Sequence, residues 1–214
     1  MPKLDKYELI IFDWDGTLKD SQSHIVDGLL VAAEKIGRSL NRKDAKNIIG
    51  LGINEAIYAL FPDISNSDLQ LFIKIYREYF YSNLANTRLF EGVEEMLKTL
   101  LDRGFRLAVA TGMSRAGLEH SMEKLGVAHY FEITRCADET RSKPDPQMLE
   151  EILEETGIAI DKAVMVGDTE YDLEMANLAG VDAIGVLCGV HEKERLQSWP
   201  TVAVVEQTRD IIEI

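Results

Sequence analysis

Short apolar runs alternate with helical stretches along most of the chain. Five of these runs have the length and composition of β-strands, at residues 8–12, 105–110, 130–134, 163–166 and 183–187. Between the later runs, apolar residues recur at helical spacing, and two of these predicted helices end at Gly104 and Gly157. The alternation favours a parallel sheet covered on both faces, because continuous apolar runs such as "LIIF" and "AVMV" are typical of strands that are buried on both sides.

The interval between residues 18 and 92 contains no convincing strand. It carries several helical patterns instead, one of which begins with a capping-box spacing at residues 67–70. A simple crossover between parallel strands needs only one helix. We therefore interpret residues 19–87 as an all-helical cap domain that is inserted into a three-layer, Rossmann-like α/β core, which comprises residues 1–18 and 88–214.

Composition limits the class of protein and its partners. Of the 214 residues, 46% are hydrophobic and 28% are charged, and no apolar run reaches the length of a membrane span. Because 23 Lys and Arg stand against 37 Asp and Glu, the formal net charge is −14, which disfavours nucleic acids and anionic membranes as partners. An anionic ligand must therefore be attracted by a local site.

The N-terminal sequence and the cysteines favour a cytoplasmic protein. The opening "MPKLDKYELIIF" is too acidic and too short for a signal peptide. The two cysteines, Cys136 and Cys188, have no metal-binding spacing. We expect two reduced thiols, although a single disulfide is also compatible with their number.

The first predicted strand ends in two acids. In "LIIFDWDGTL", the alternation of side chains along a strand directs Asp13 and Asp15 to one side and Trp14 to the other. Gly16 allows the chain to turn away sharply behind them. Ligands of open α/β sheets bind beyond the carboxyl ends of the strands, where these acids fall. Taken alone, the motif favours an ordinary Asx-type turn after a strand.

Three further motifs follow later strands, and each is weak by itself. Thr111-Gly112 closes the second strand before a predicted helix, and the N–H groups at such a helix start attract anions. Lys143 lies in "KPDP" at the start of a helix, where a lysine is ordinarily solvated. Asp168 ends the fourth strand and Asp172 follows one helical turn later, where helix-start preference alone would explain an acid.

In this order the four motifs resemble those of the haloacid dehalogenase superfamily. The resemblance covers nearly the whole chain, including a helical cap between the first and second motifs. It is closest to the phosphoglycolate phosphatase-like branch, in which "DGTLxDS" and "KPxP" are typical; the chain reads "DGTLKDS" and "KPDP". The resemblance implies hydrolysis of a small phosphorylated metabolite, phosphoglycolate-like or a sugar phosphate, through an aspartyl-phosphate.

The resemblance also implies how the acids are used. Asp13 would be the nucleophile, and Asp15 would protonate the leaving group and later take a proton from water. Attack by a carboxylate on a phosphate dianion is opposed by about 4 kcal/mol per charge pair at about 4 Å and an effective dielectric constant of about 20. Positive charge is therefore needed. Mg²⁺ held by Asp13, Asp168 and the backbone carbonyl of Asp15 would supply it.

The remaining motif residues are implied to bind the phosphoryl group. Thr111, Gly112 and Lys143 would hold its oxygens, and Asp172 would orient Lys143 or a metal-bound water. Dehalogenases of the superfamily usually lack an acid at the position of Asp15, so its presence indicates a phosphate substrate.

Two features depart from the family pattern or leave the substrate contacts open. Gly112 and Met113 stand where the family often has Asn and a basic residue. Arg115 is a candidate replacement cation, although an exposed helix arginine is the ordinary interpretation. The Gly50–Gly52 segment is either a helix-to-helix turn or a specificity loop over the substrate.

Two other functions compete with a phosphatase. A phosphomutase of the β-phosphoglucomutase type would return the phosphoryl group to a sugar instead of releasing it. A response-regulator receiver also uses Asp, Thr and Lys on a parallel sheet, but receivers are shorter and lack a cap. For the phosphatase we expect a monomer or homodimer, with hinges near residues 19–20 and 86–87 that let the cap close.

Overall fold

The central feature of the fold is a six-stranded parallel sheet. The computed structural model describes residues 4–83 and 87–214. The strands of this sheet are β1 Leu9–Phe12, β4 Arg106–Thr111, β5 Ile133–Cys136, β6 Ala163–Gly167, β7 Asp182–Val186 and β8 Ala203–Val205. Their order is β5-β4-β1-β6-β7-β8, which places β1 between β4 and β6. The predicted parallel α/β fold is confirmed.

Helices cover both faces of this sheet, as the apolar strands predicted. They are α5 Val93–Asp102, α6 Arg115–Leu125, α7 Gln147–Thr156, α8 Glu170–Ala179 and the short α9 Lys193–Leu196. In β1, Ile10 and Phe12 pack with α5 and α6, whereas Leu9 and Ile11 pack with α7 and α8 on the opposite face. The strand is therefore apolar throughout because each face has its own core.

Two strand assignments need correction. The third predicted strand begins at Ile133 rather than at residue 130, because residues Ala128–Tyr130 form a 3₁₀ helix that buries Tyr130 in the core. The edge strand β8 was not predicted. Its three residues are apolar but only partly buried, and a strand of this length carries little periodic signal. Cys136 and Cys188 are free, as expected.

Among the described residues, four α-helices lie between residues 18 and 92. They are α1 Gln22–Lys35, α2 Arg42–Asn47, α3 Ile53–Leu60 and α4 Asn66–Asn83. These helices enclose an apolar cluster of their own, in which Ile57 and Phe72 are fully buried. Helix α4 begins earlier than the predicted capping box, because the N–H of Asp68 donates to Ser65 Oγ at 3.1 Å. The boundaries of a core and a cap domain remain our proposal.

The connections to these helices include two short strands that were not predicted. These strands are β2 Lys19–Asp20 and β3 Arg88–Leu89, which pair with each other in antiparallel orientation. Two residues are too few to show a hydrophobic period. The predicted hinge at 19–20 coincides with β2, whereas residue 86 of the second predicted hinge lies outside the described residues.

The helices were compared with the requirements of a membrane span. Among residues 4–83 and 87–214, no helix combines the length and the apolar character that a transmembrane helix requires.

Candidate active site

The predicted site residues converge at one edge of the sheet. Asp13 follows β1, Thr111 ends β4 and Asp168 follows β6. These three strands are neighbours, and the carboxyl ends of parallel strands lie on the same edge. Lys143 reaches the same place from the loop between β5 and α7. As predicted, Trp14 points away from the acids: it is buried in the α5–α6 face and donates to Ser121 Oγ at 3.1 Å.

Lys143 lies between two buried acids. Its Nζ is 2.6 Å from Asp13 Oδ1 and 2.6 Å from Asp172 Oδ1. The other oxygen of Asp172 accepts hydrogen bonds from the N–H (3.0 Å) and hydroxyl (2.8 Å) of Thr169 at the start of α8. Asp172 thus contacts Lys143 directly, a geometry that is compatible with one of the two predicted roles, orientation of Lys143.

Asp168 is held from both sides. Its Oδ1 accepts from the hydroxyl of Thr17 at 2.8 Å and its Oδ2 from the N–H of Val190 at 2.8 Å. Gly16 adopts φ +90°, and a Cβ there would be 2.4 Å from Asp168 Oδ2. Glycine at this position therefore turns the chain, as predicted, and also leaves room for the carboxylate of Asp168.

The buried acids outnumber the buried cations that face them. Burial raises the pKa of Asp13 well above its usual range, although Lys143 acts against this. Burial, together with repulsion from Asp172, raises the pKa of Asp168 to about 7. Burial alone would lower the pKa of Lys143, but Asp13 and Asp172 outweigh this effect and raise it. The site consequently holds fewer cations than acids.

These carboxylates fit a divalent metal ion. Asp13, Asp168 and Asp172 are all buried, and each offers an oxygen that lies within 4.8 Å of the others. Hard cations prefer such oxygen ligands, and a cation would offset the excess negative charge. The carboxylate of Asp15 does not belong to this group among the described residues; only its backbone carbonyl was predicted as a ligand.

Asp15 is bound through one oxygen. Its Oδ1 accepts from Ser21 Oγ at 2.6 Å and lies 3.6 Å from the Nζ of Lys19. Asp15 lines a cavity together with Asp13 and Thr111, and the cavity continues between the sheet edge and the helices α1, α3 and α4. Its far end is lined mainly by apolar side chains of those helices, for example Leu29 and Ile53.

The Gly50–Gly52 segment is both a turn between α2 and α3 and part of this cavity wall. The N–H of Gly52 donates to Ser142 Oγ at 2.6 Å. A Cβ at Gly112 would be only 2.7 Å from the carbonyl oxygens of Gly50 and Leu51. The close approach of this backbone explains why the chain has no Asn side chain at position 112.

Arg115 does not reach the site. Its guanidinium bonds the carboxylate of Glu139 and both the hydroxyl and the carbonyl of Thr134, at the edge of the sheet. The hypothesis that Arg115 supplies a missing cation to the phosphoryl group therefore has no geometric support. Thr111 and Gly112 do line the cavity.

Comparison with known proteins identifies the family. The sequence profile of the haloacid dehalogenase-like hydrolases matches residues 10–186. The chain belongs to the haloacid dehalogenase-like hydrolase family.

Relatives of this hydrolase include named phosphatases. The Dickeya dadantii (strain 3937) protein called "Probable phosphatase IndB" is 30% identical over 95% of this chain and 91% of its own length. The phosphoglycolate phosphatase of Agrobacterium fabrum (strain C58 / ATCC 33970) is 28% identical over 92% of this chain and 87% of its own. A hydrolase from Pseudomonas syringae shares the fold, with a TM-score of 0.90, 21% identity and coverage of 97% and 96% of the two chains.

The sequence analysis missed several residues that shape the site of this hydrolase. Thr17, Lys19 and Ser21 all stand in "DGTLKDS", which was quoted only as a family signature. A polar residue at every second position after Asp15 is a signal that would have indicated side chains directed toward the acids. Thr169 carries a weaker signal, because a Thr before a helix with an acid three residues later predicts a capping box, which the structure contains.

Proposed function

We propose that this hydrolase is a Mg²⁺-dependent phosphatase that cleaves a small phosphorylated metabolite through an aspartyl-phosphate. One observation carries the proposal: at one end of a cavity, Asp13 contacts the ammonium of Lys143 while Asp15 lines the same wall. A nucleophile, a cation for the phosphoryl oxygens and a second acid are the groups that phosphate ester hydrolysis requires.

In the first half-reaction, a carboxylate oxygen of Asp13 attacks phosphorus and the bond to the leaving oxygen breaks. Oδ1 of Asp13 is bound to Lys143, so Oδ2 is the oxygen available for attack. Asp15 gives its proton to the leaving oxygen, which departs as an alcohol. The N–H of Gly112, the hydroxyl of Thr111 and the ammonium of Lys143 hold the phosphoryl oxygens.

In the second half-reaction, water hydrolyses the aspartyl-phosphate. Asp15, now ionised, accepts a proton from the water as its oxygen attacks phosphorus. Inorganic phosphate leaves, and Asp13 is again a carboxylate. Asp172 keeps Lys143 in place throughout, because its second oxygen is fixed by Thr169.

The residues that would hold Mg²⁺ are Asp13, Asp168 and the backbone carbonyl of Asp15. The buried carboxylate cluster fits such an ion, and it includes Asp172 as a further acid near the site. When bound, Mg²⁺ would offset the repulsion between Asp13 and the phosphate dianion. The protein as a whole cannot offset this repulsion, because its net charge is −14.

The cavity and the named relatives support a small substrate. The helices α1–α4 cover the site, so a large phosphoprotein would not reach Asp13 without displacing them. Phosphoglycolate and sugar phosphates are the first substrates to examine, because one relative is named for the former. The free thiols support a cytoplasmic enzyme, and we propose a monomer or homodimer.

A screen of phosphorylated metabolites with Mg²⁺, measuring free phosphate, tests the proposal. We expect release from at least one small ester, and no release when Asp13 is replaced by Asn. Failure to release phosphate from any ester, including an activated aryl phosphate, would overturn it. Transfer of the phosphoryl group to a second hydroxyl without free phosphate would instead indicate a phosphomutase.

A further inference from the structure

Lys19 is a buried cation that the proposed mechanism does not use. Its side chain is 0% exposed, and its Nζ has no hydrogen-bond partner among the described residues. A buried ammonium without such a partner is unfavourable, because it has lost its water. The Nζ lies 3.6 Å from Asp15 Oδ1 and 5.1 Å from the centroid of the Phe80 ring.

The backbone fixes Lys19 beside Asp15. The N–H of Lys19 donates to the carbonyl of Trp14 at 2.9 Å, and the N–H of Gly16 donates to the carbonyl of Lys19 at 2.8 Å. The chain thus makes a closed loop after the second acid and returns next to it, so that residues 15 and 19 form an isolated β-bridge. The loop therefore places the side chains of residues 15 and 19 next to each other.

Lys19 and Ser21 engage the same oxygen of Asp15. Ser21 donates to Oδ1 at 2.6 Å, and the ammonium of Lys19 lies 3.6 Å from that atom. No hydrogen bond to Oδ2 is found within residues 4–83 and 87–214. With Oδ1 engaged on one side, Oδ2 is the oxygen left to exchange a proton with the substrate.

The ring of Phe80 shields this ion pair. Phe80 belongs to α4, is buried, and lines the same cavity as Asp15. A water-poor environment strengthens the attraction between an ammonium and a carboxylate. The pair thus depends on a side chain of the helices that cover the site.

We propose that Lys19 is a positioning residue for Asp15. Resting on the proposed phosphatase function, the inference is that Lys19 holds Oδ1 so that Oδ2 carries the transferred proton. The proton passes from Oδ2 to the leaving oxygen as the phosphorus–oxygen bond breaks, and the resulting carboxylate charge remains next to the ammonium. In the second half-reaction Oδ2 regains a proton from the attacking water.

Lys19→Met tests the proposal, because it removes the charge and keeps most of the chain length. The two substrates are phenyl phosphate and 4-nitrophenyl phosphate, which differ mainly in how much the leaving group needs a proton. The parameter is kcat/KM, which covers the steps through departure of the alcohol. We expect Lys19→Met to lose about 100-fold with phenyl phosphate, in the range of general acid catalysis, but about threefold or less with 4-nitrophenyl phosphate.

Four comparison variants separate positioning from folding. Asp15→Asn should show the same selective loss, and Lys19→Arg, which keeps the charge, should recover part of the phenyl phosphate activity. Lys98→Met removes an exposed lysine of α5 and should leave kcat/KM unchanged with both substrates. Lys19→Gln is a second neutral variant, and circular dichroism with thermal melting verifies the fold of each.

The pattern of loss decides the outcome. A selective loss with phenyl phosphate in Lys19→Met or Lys19→Gln supports the positioning role. An equal loss with both esters, or no loss, means that Lys19 acts only in structure and overturns the inference while leaving the phosphatase intact. If the unmodified protein with Mg²⁺ releases phosphate from neither of these esters nor from any small phosphorylated metabolite, the proposed function falls and this inference falls with it.

Discussion

Gly112 lies against the backbone of Leu51. A Cβ at Gly112 would be 2.7 Å from the carbonyl oxygen of Leu51 and 3.0 Å from its carbonyl carbon. Gly112 follows β4 beside the candidate nucleophile, whereas Leu51 lies in the turn between α2 and α3. The helices that cover the site therefore touch it through backbone, which cannot move aside as a side chain can.

Gly112→Asn should push the α2–α3 turn away from the end of β4. Overpacking at a tight contact typically costs about 1–3 kcal/mol, and here the atoms that must shift are backbone. We expect kcat/KM with the best small substrate to fall at least about tenfold, since the loss of about 1.4 kcal/mol in transition-state stabilisation is tenfold in rate. Steady-state kinetics measures the effect.

Gly117→Ala is the matched control for this substitution. Gly117 lies in α6, and the nearest atom to a Cβ there is the flexible end of Met113 at 3.1 Å. Alanine also favours the helix. If Gly112→Asn were as active as Gly117→Ala, the contact with Leu51 would not constrain the site.

The two opening acids should have separable effects. Asp13→Asn should abolish turnover while the fold and ligand binding persist, because Asn is nearly isosteric and removes only the nucleophile. Asp15→Asn should slow both formation and hydrolysis of the aspartyl-phosphate, because it removes the proton carrier of each half-reaction. Single-turnover kinetics measures both steps. Substantial phosphatase activity in purified Asp13→Asn would exclude it as the nucleophile.

Much of the fold could be predicted from the sequence, because most strands of the sheet are buried on both faces. Leu9 to Phe12 read as one apolar run for this reason, and the acids that follow interrupt it where the sheet ends. The strands β2 and β3 have two residues each and β8 has three, so none of them is long enough to carry a recognisable period. Their pairing depends on tertiary packing.

Only part of the site could be predicted from the sequence. The positions of Asp13, Lys143 and Asp168 at one edge of the sheet were predictable, since each of their motifs follows a parallel strand. The contacts of Lys19 with Asp15 and Phe80 depend on a closed loop and on α4, which lies far along the chain. Likewise, position 112 requires a glycine because the backbone of the α2–α3 turn packs against it, a contact that the sequence does not reveal.

Mg²⁺ should stabilise the protein, and more so at neutral than at acidic pH. Metal binding requires an ionised Asp168, whose pKa in the folded, metal-free protein is raised from 3.8 to about 7. Between these values the folded protein holds a proton that the unfolded chain has released. For this group, metal-free stability therefore falls as pH rises from about 4 to about 7.

Thermal melting at two pH values measures this linkage. We expect Mg²⁺ to raise the Tm more at pH ~7.5 than at pH ~5.5, because a bound proton competes with the metal at the lower pH. Asp168→Asn is the control and should abolish the Mg²⁺-dependent rise. A rise of equal size at both pH values, or one that survives in Asp168→Asn, would contradict the assignment of Asp168 as a ligand.

The helices α1–α4 should select the substrate by the size and shape of its leaving group. Side chains of α1, α3 and α4 line the far end of the cavity, whereas Asp13, Thr111 and Lys143 come from the sheet and its loops. Because β2 and β3 run side by side, a short Gly-Ser linker can replace residues 22–86 without removing Lys19. Circular dichroism and thermal melting establish whether this shortened protein folds.

The shortened protein separates selection from chemistry. If it folds, it should still cleave 4-nitrophenyl phosphate, because the nucleophile, the candidate metal ligands and the phosphate-binding residues remain. It should be slower than the full chain, since water now enters the site and weakens the attraction between charges. Its kcat/KM values for phosphoglycolate and for sugar phosphates should become nearly equal, because the wall that distinguishes their leaving groups is gone. A folded protein that kept the ranking of the full chain would show that the sheet loops, rather than the helices α1–α4, determine specificity.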